Sequence, residues 1–84
     1  MQRVEIYTTP TCPYCHRAKA LLAEKGVSYE ETDVSVDPAI RSAMTDRAGG
    51  KRSVPQIFIG ETHVGGCDDL YALEQAGKLD ALLA

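Results

Sequence analysis

Three cysteines carry most of the reactive chemistry this chain has to offer, and two of them, Cys12 and Cys15, are separated only by Pro13 and Tyr14. Proline favours the first helical position, because the amide proton it lacks would be unsatisfied there and its φ is already helical. That places Cys12 at the N-cap and Cys15 inside the first turn, with the Cys12 sulfur facing the free backbone N–H groups of Tyr14 and Cys15. Those donors and the positive end of the helix dipole favour a thiolate, so Cys12 is the expected nucleophile. Residues three apart on a helix lie about 5–6 Å from one another, which suits a disulfide, so Cys15 can close a bond onto Cys12 and release a substrate. A ring enclosing two residues constrains little of the unfolded chain, and redox exchange explains the pair better than stability does. A zinc knuckle is the competing chemistry. It needs two more ligands, which Cys67 and His63 could supply, but Pro-Tyr between the first two cysteines suits a helix start better, and no metal is expected.

The elements that must position this pair follow from the hydrophobic pattern. Val4 to Thr8 alternates apolar and polar residues as a strand, and Pro10 interrupts it. From Pro13 the apolar positions Cys15, Ala18, Leu21 and Leu22 recur at helical spacing, until Gly26 stands where a left-handed stop belongs. Val27 to Val34 reads as a second strand. Pro38 to Arg47 reads as a second helix, with Ile40, Ala43 and Met44 on one face. Gln56 to Ile59 and Thr62 to Val64 make a hairpin around Gly60-Glu61; a helix from about Asp68 to Ala76 and a final turn from Leu79 to Leu83 complete the chain. The order β-α-β-α-β-β-α predicts an α/β fold: a four-stranded mixed β-sheet flanked by helices, its first two strands parallel through a right-handed crossover and its hairpin antiparallel.

Composition narrows the classes. Eighty-four residues suffice for one domain, expected to span 1–84. With 25% charged and 44% hydrophobic residues the chain has the profile of a folded globular protein rather than a disordered one. The longest apolar runs are four residues, far short of the ~20 that cross a bilayer, so no membrane partner is expected. Nine Lys plus Arg against twelve Asp plus Glu leave a net charge of −3 and no basic tract, which argues against a nucleic-acid partner. Val4 to Thr8 already reads as a strand, with no leader pattern before it, and an odd number of cysteines containing a close pair suits a reducing compartment; the expected location is cytoplasmic.

Three motifs together carry a resemblance over essentially the whole chain: Cys12-Pro13-Tyr14-Cys15 after the first strand, Ser53-Val54-Pro55 before the third, and Gly65-Gly66-Cys67-Asp68-Asp69 before the last long helix. The chain resembles a dithiol glutaredoxin of the short bacterial type. The resemblance implies a thioredoxin fold, glutathione as co-substrate, and reduction of protein disulfides and glutathione mixed disulfides by a monomer. It implies that Tyr14 lines the glutathione groove and that Val54, before a cis Pro55, pairs through its backbone with the cysteinyl unit of the tripeptide. It further implies that Gly66 admits the ligand backbone, that the N–H groups of Cys67 and Asp68 receive the γ-glutamyl carboxylate, and that the Asp68 carboxylate accepts from the ligand ammonium.

Two departures from the family pattern bear on the site. Thr9 stands where a lysine is common, and Ser53 stands for a threonine, keeping the hydroxyl. With that lysine missing, Arg47, Lys51 and Arg52 form the local basic cluster, and the glycyl carboxylate is assigned to Arg52 first and Lys51 second, because paired donors suit a carboxylate. His16 and His63 are expected at the surface and outside catalysis, and Tyr7, Tyr29 and Tyr71 as packing residues. Cys67 reads equally as a helix-start filler or as a further thiol open to glutathionylation. Two other classes compete with the enzyme: a carrier holding an iron-sulfur cluster between two subunits through Cys12 and glutathione, which visible absorbance after anaerobic purification would reveal, and a protein reductase that ignores glutathione.

Overall fold

The computed structural model describes residues 2–84. Strand β1 (Val4–Thr8) alternates buried Val4, Ile6 and Thr8 with half-buried Glu5 and Tyr7, so its two faces meet different layers. Helix α1 (Pro13–Glu24) buries Cys15, Ala18, Leu21 and Leu22 on one stripe. It stops where Gly26 takes φ 71° and the N–H groups of Gly26 and Val27 turn back to the carbonyls of Ala23 and Leu22. That closing turn uses Val27, which is why β2 covers only Glu30–Asp33 and not the 27–34 stretch that its composition suggests. Helix α2 (Pro38–Arg47) starts on Asp37, whose carboxylate accepts from the Ala39 N–H at 2.9 Å.

Strand β3 (Gln56–Ile59) is buried along its whole length, and β4 (Thr62–Gly65) returns beside it after a turn at Gly60. Helix α3 (Cys67–Gln75) begins one residue earlier than the hydrophobic pattern suggests, because Gly66 serves as its N-cap. Helix α4 (Leu79–Leu83) ends against the start of the chain, with the Gln2 N–H donating to the Leu83 carbonyl at 3.0 Å.

The sheet order is β2-β1-β3-β4, with β1 parallel to β2 and antiparallel to β3, and β3 antiparallel to β4. Val4, Ile6, Ile57 and Ile59 point to one face, where they share a core with Leu21 and Leu22 of α1, Leu70 of α3, and Leu79 and Leu83 of α4. Each such fully buried Leu or Ile contributes roughly 1.5–3 kcal/mol. Residues of the opposite phase meet α2: the Arg47 guanidinium lies over the Phe58 ring at 4.0 Å, donates to Tyr7 Oη and pairs with Glu5 at 2.7 Å.

This topology decides where the site forms. Because β1 and β3 are antiparallel, with Tyr7 opposite Gln56, the segment leaving β1 and the segment entering β3 lie at the same end of the sheet. Gly65, at the end of β4, pairs with Ile57 near that same end and delivers the start of α3 there. Three segments distant in sequence, around positions 12, 54 and 66, thereby meet.

Candidate active site

Cys12 occupies the N-cap of α1 in an extended conformation, and its Sγ accepts a hydrogen bond from the Cys15 N–H at 3.2 Å. The expected second donor, the Tyr14 N–H, makes no such bond. On its other side the Cys12 thiol donates to the Val54 carbonyl oxygen at 3.7 Å, which ties the helix start to the loop before β3. Cys15 lies one turn inside and is fully buried, while Cys12 is partly exposed. Burial, followed by the hydrogen bond with the Cys12 side chain, pushes the Cys15 thiol up to about 12, against the opposing pull of the Thr9 backbone and of Lys19. One sulfur thus faces solvent beside a helix N-terminus and the other keeps its proton behind it.

The Val54-Pro55 bond is cis, the isomer implied by the family resemblance. An open groove of about 220 Å³ runs beside it, lined on one wall by Lys51, Ser53, Val54, Pro55 and Gln56, and on the other by Gly66, Cys67, Asp68 and Asp69, with Tyr14 at its end. Tyr14 is 54% exposed, so its ring is available to the groove it lines. Gly66 caps α3 without a side chain, so the first N–H groups of that helix remain open to the groove. A Cβ at Gly66 would sit 3.5 Å from the Pro55 carbonyl oxygen, an ordinary contact, so the protein's own packing does not require glycine here. Gly65 differs: its φ is 115°, and a Cβ there would run into the Asp69 carboxylate.

Most residues expected from the sequence are brought together here, and Arg52 is not. It lines the neighbouring depression with Pro38, Arg41, Ser42, Thr45 and Asp46, and its carbonyl accepts two hydrogen bonds from Arg41, at 3.2 and 2.8 Å. Lys51 lines the groove instead. Arg47 is withdrawn altogether into its pair with Glu5. Cys67 is buried at the start of α3, and burial pushes its thiol up, with Arg17 opposing. His16 is exposed, as expected, but His63 is not a free surface residue: it stacks on Phe58 and bonds Gln56 at 2.6 Å. No cluster of three or more His, Cys, Asp or Glu side chains suited to a metal occurs among the described residues.

Sequence reasoning missed three supporting residues. Asp69 accepts from the Gly66 N–H at 2.9 Å, the return half of a capping box, and its spacing three residues after the cap was the available signal. Lys19, four residues beyond Cys15 on the same helix face, pairs with Glu31 at 3.0 Å, and the same Glu31 oxygen accepts from Thr8 Oγ1 at 2.7 Å. Those two contacts, the Thr8 hydroxyl first, hold the Glu31 carboxyl below its ordinary range.

A Cys-Pro-Tyr-Cys helix start facing a cis-proline loop at one end of a four-stranded mixed sheet defines a dithiol protein of thioredoxin fold. The family model for glutaredoxins matches residues 4–64. The chain is 60% identical over 84 residues to a glutaredoxin of Pseudomonas aeruginosa, covering all of this chain and 99% of that one. The solution structure of a glutaredoxin from Brucella melitensis is similar with a TM-score of 0.87 at 61% identity, covering 99% of this chain and 89% of the other. A buckwheat glutaredoxin-glutathione complex reaches a TM-score of 0.89 at 32% identity, covering 98% and 76%. This chain belongs to the glutaredoxin family, whose members are thiol-disulfide oxidoreductases.

Proposed function

We propose that this glutaredoxin uses glutathione as its electron donor and reduces both glutathione mixed disulfides and protein disulfides through Cys12 and Cys15, working as a monomer in the cytoplasm. The observation that carries the reading is the placement of the Cys12 sulfur against the Val54 carbonyl, at a groove walled by the cis-proline loop and the open start of α3. A tripeptide laid along that groove with its sulfur at Cys12 has Val54 N–H and C=O for its backbone. Its γ-glutamyl carboxylate has the Cys67 and Asp68 N–H groups, and its ammonium has the Asp68 carboxylate. Ser53, Pro55, Tyr14 and Gly66 shape the remaining walls, and Lys51 is assigned the glycyl carboxylate in place of Arg52.

In the first reaction the Cys12 thiolate attacks the glutathione sulfur of a glutathionylated protein, the protein thiolate leaves and takes up a proton, and glutathione is held on Cys12 as a mixed disulfide. A second glutathione thiolate attacks that glutathionyl sulfur, forming glutathione disulfide and restoring the Cys12 thiolate. With a protein disulfide, Cys12 attacks one sulfur and one protein thiolate departs. Cys15 then gives up its proton to that departing thiolate and attacks the Cys12 sulfur, breaking the mixed disulfide so that the second protein thiolate leaves and takes up a proton from solvent. The products are the reduced protein and a Cys12–Cys15 disulfide, which two glutathione molecules reduce. A coupled assay with glutathione, glutathione reductase and a small mixed disulfide tests the reading: turnover that requires glutathione supports it, and activity only with a dithiol donor overturns it.

A further inference from the structure

Gln56 is 1% exposed, follows the cis Val54-Pro55 bond directly, and has both ends of its amide occupied. Its Nε2 donates to the Ser53 carbonyl oxygen at 3.0 Å and to Ser53 Oγ at 3.3 Å, while its Oε1 meets His63 Nε2 at 2.6 Å. An amide has donors at one end only, so Ser53 fixes which way it faces, and the oxygen that results toward β4 demands an N–H on His63. His63 is therefore protonated at Nε2, with its ring held flat by stacking on Phe58 at a centroid distance of 4.8 Å. The opposite amide orientation would set two acceptors, Oε1 and the Ser53 carbonyl, against each other. A hydroxyl that accepts from Gln56 keeps its own proton to donate elsewhere, and Ser53 lines the groove.

We propose that Gln56, oriented by His63, is a positioning residue for glutathione: it fixes the Ser53 carbonyl and turns the Ser53 hydroxyl into a hydrogen-bond donor for the groove before the ligand arrives. The inference rests on the groove being the glutathione site. A buried amide costs more to desolvate than an apolar side chain of similar volume, and packing alone would be served by methionine. The arrangement instead links the edge strand β4 to the groove wall through a polar chain that runs from His63 to Gln56 to Ser53.

The test compares Gln56→Met, which keeps the volume and removes the donors, with the wild-type protein. Glutathione KM is expected to rise about three- to tenfold, the range that one or two neutral hydrogen bonds span, with kcat little changed. His63→Leu should raise KM in the same direction, and His63→Gln, which restores an N–H donor, should recover most of that loss. Histidine side-chain 15N spectra of the wild-type protein should show the neutral His63 ring protonated at Nε2. Should Gln56→Met fold poorly, Gln56→Leu also removes the amide donors and is expected to raise KM likewise. An unchanged KM in folded Gln56 variants, or a His63 proton on Nδ1, overturns the positioning role while leaving glutathione use intact. A wild-type protein that turns over without glutathione overturns the functional reading and this inference with it.

Discussion

The N-termini of α1 and α2 are built alike and do different things. Each begins with proline in the first turn and a side chain that accepts from a backbone N–H of that turn, Cys12 from Cys15 and Asp37 from Ala39. At α2 the acceptor is a carboxylate with no further partner among the described residues, and the cap only starts a helix. At α1 the acceptor is a sulfur, and the sheet topology brings the Val54 carbonyl and an open groove to it. The start of α3 offers a third version, in which glycine leaves the cap position empty and the N–H groups face the same groove. A helix start presents a nucleophile when its capping atom is one, and open N–H donors when a cap is withheld. What surrounds it in three dimensions selects between these outcomes.

The sharpest way to break this comparison is Cys12→Ser, since serine is as good an N-cap as any residue. Stability should be nearly unchanged and every disulfide-reducing activity lost to background in the coupled assay; a destabilised protein would mean that the cap matters more than the sulfur. Cys15→Ser should divide the two reactions. Reduction of a glutathionylated substrate is expected to persist, and reduction of an internal protein disulfide to fall at least tenfold, because only the second needs a resolving thiol. A Cys15→Ser protein inactive toward both substrates would refute the assigned mechanism.

Filling the empty cap at α3 comes next. Gly66→Ser should leave the melting temperature unchanged or slightly raised, since serine caps better than glycine by a few tenths of a kcal/mol. It should also raise glutathione KM about three- to tenfold, because the hydroxyl competes for the N–H groups and narrows the groove. A smaller change is expected from the exposed cation. Lys51→Ala should raise KM about two- to fivefold at low salt and less in high salt, while Arg52→Ala leaves it in place; the reverse order would restore Arg52 to the groove. Asp37→Ala, the plain cap, should cost about 1 kcal/mol and lower the melting temperature by about 4–8 °C without touching activity, measured by thermal unfolding beside the coupled assay.

Local chemistry was legible from the chain alone. Pro13 between Cys12 and Tyr14 fixed the helix start, Gly26 its end, and the alternation in Val4 to Thr8 the first strand, because each depends on neighbours within a turn or two. The length of β2 was not legible, since Val27 has the composition of a strand residue and is claimed instead by the closing turn of α1. Nor was it legible that Lys51 lines the groove while Arg52 lines the depression beside it. Both are cations in one loop, and the side each faces depends on how the chain turns from α2 into β3.

The sequence by itself determined the order of elements, the reactive pair and the family motifs, because those are carried by residue types at short spacings. Only the tertiary structure decided that Val54 faces Cys12, that Cys15 is sealed from water, and that Gln56 ties His63 to Ser53. The Val54 and His63 contacts depend on where β3 lies against β1 and β4. The contacts of Cys12 with Val54 and of Gln56 with His63, 42 and 7 positions apart, leave no periodic mark in the chain and exist only once the sheet has formed.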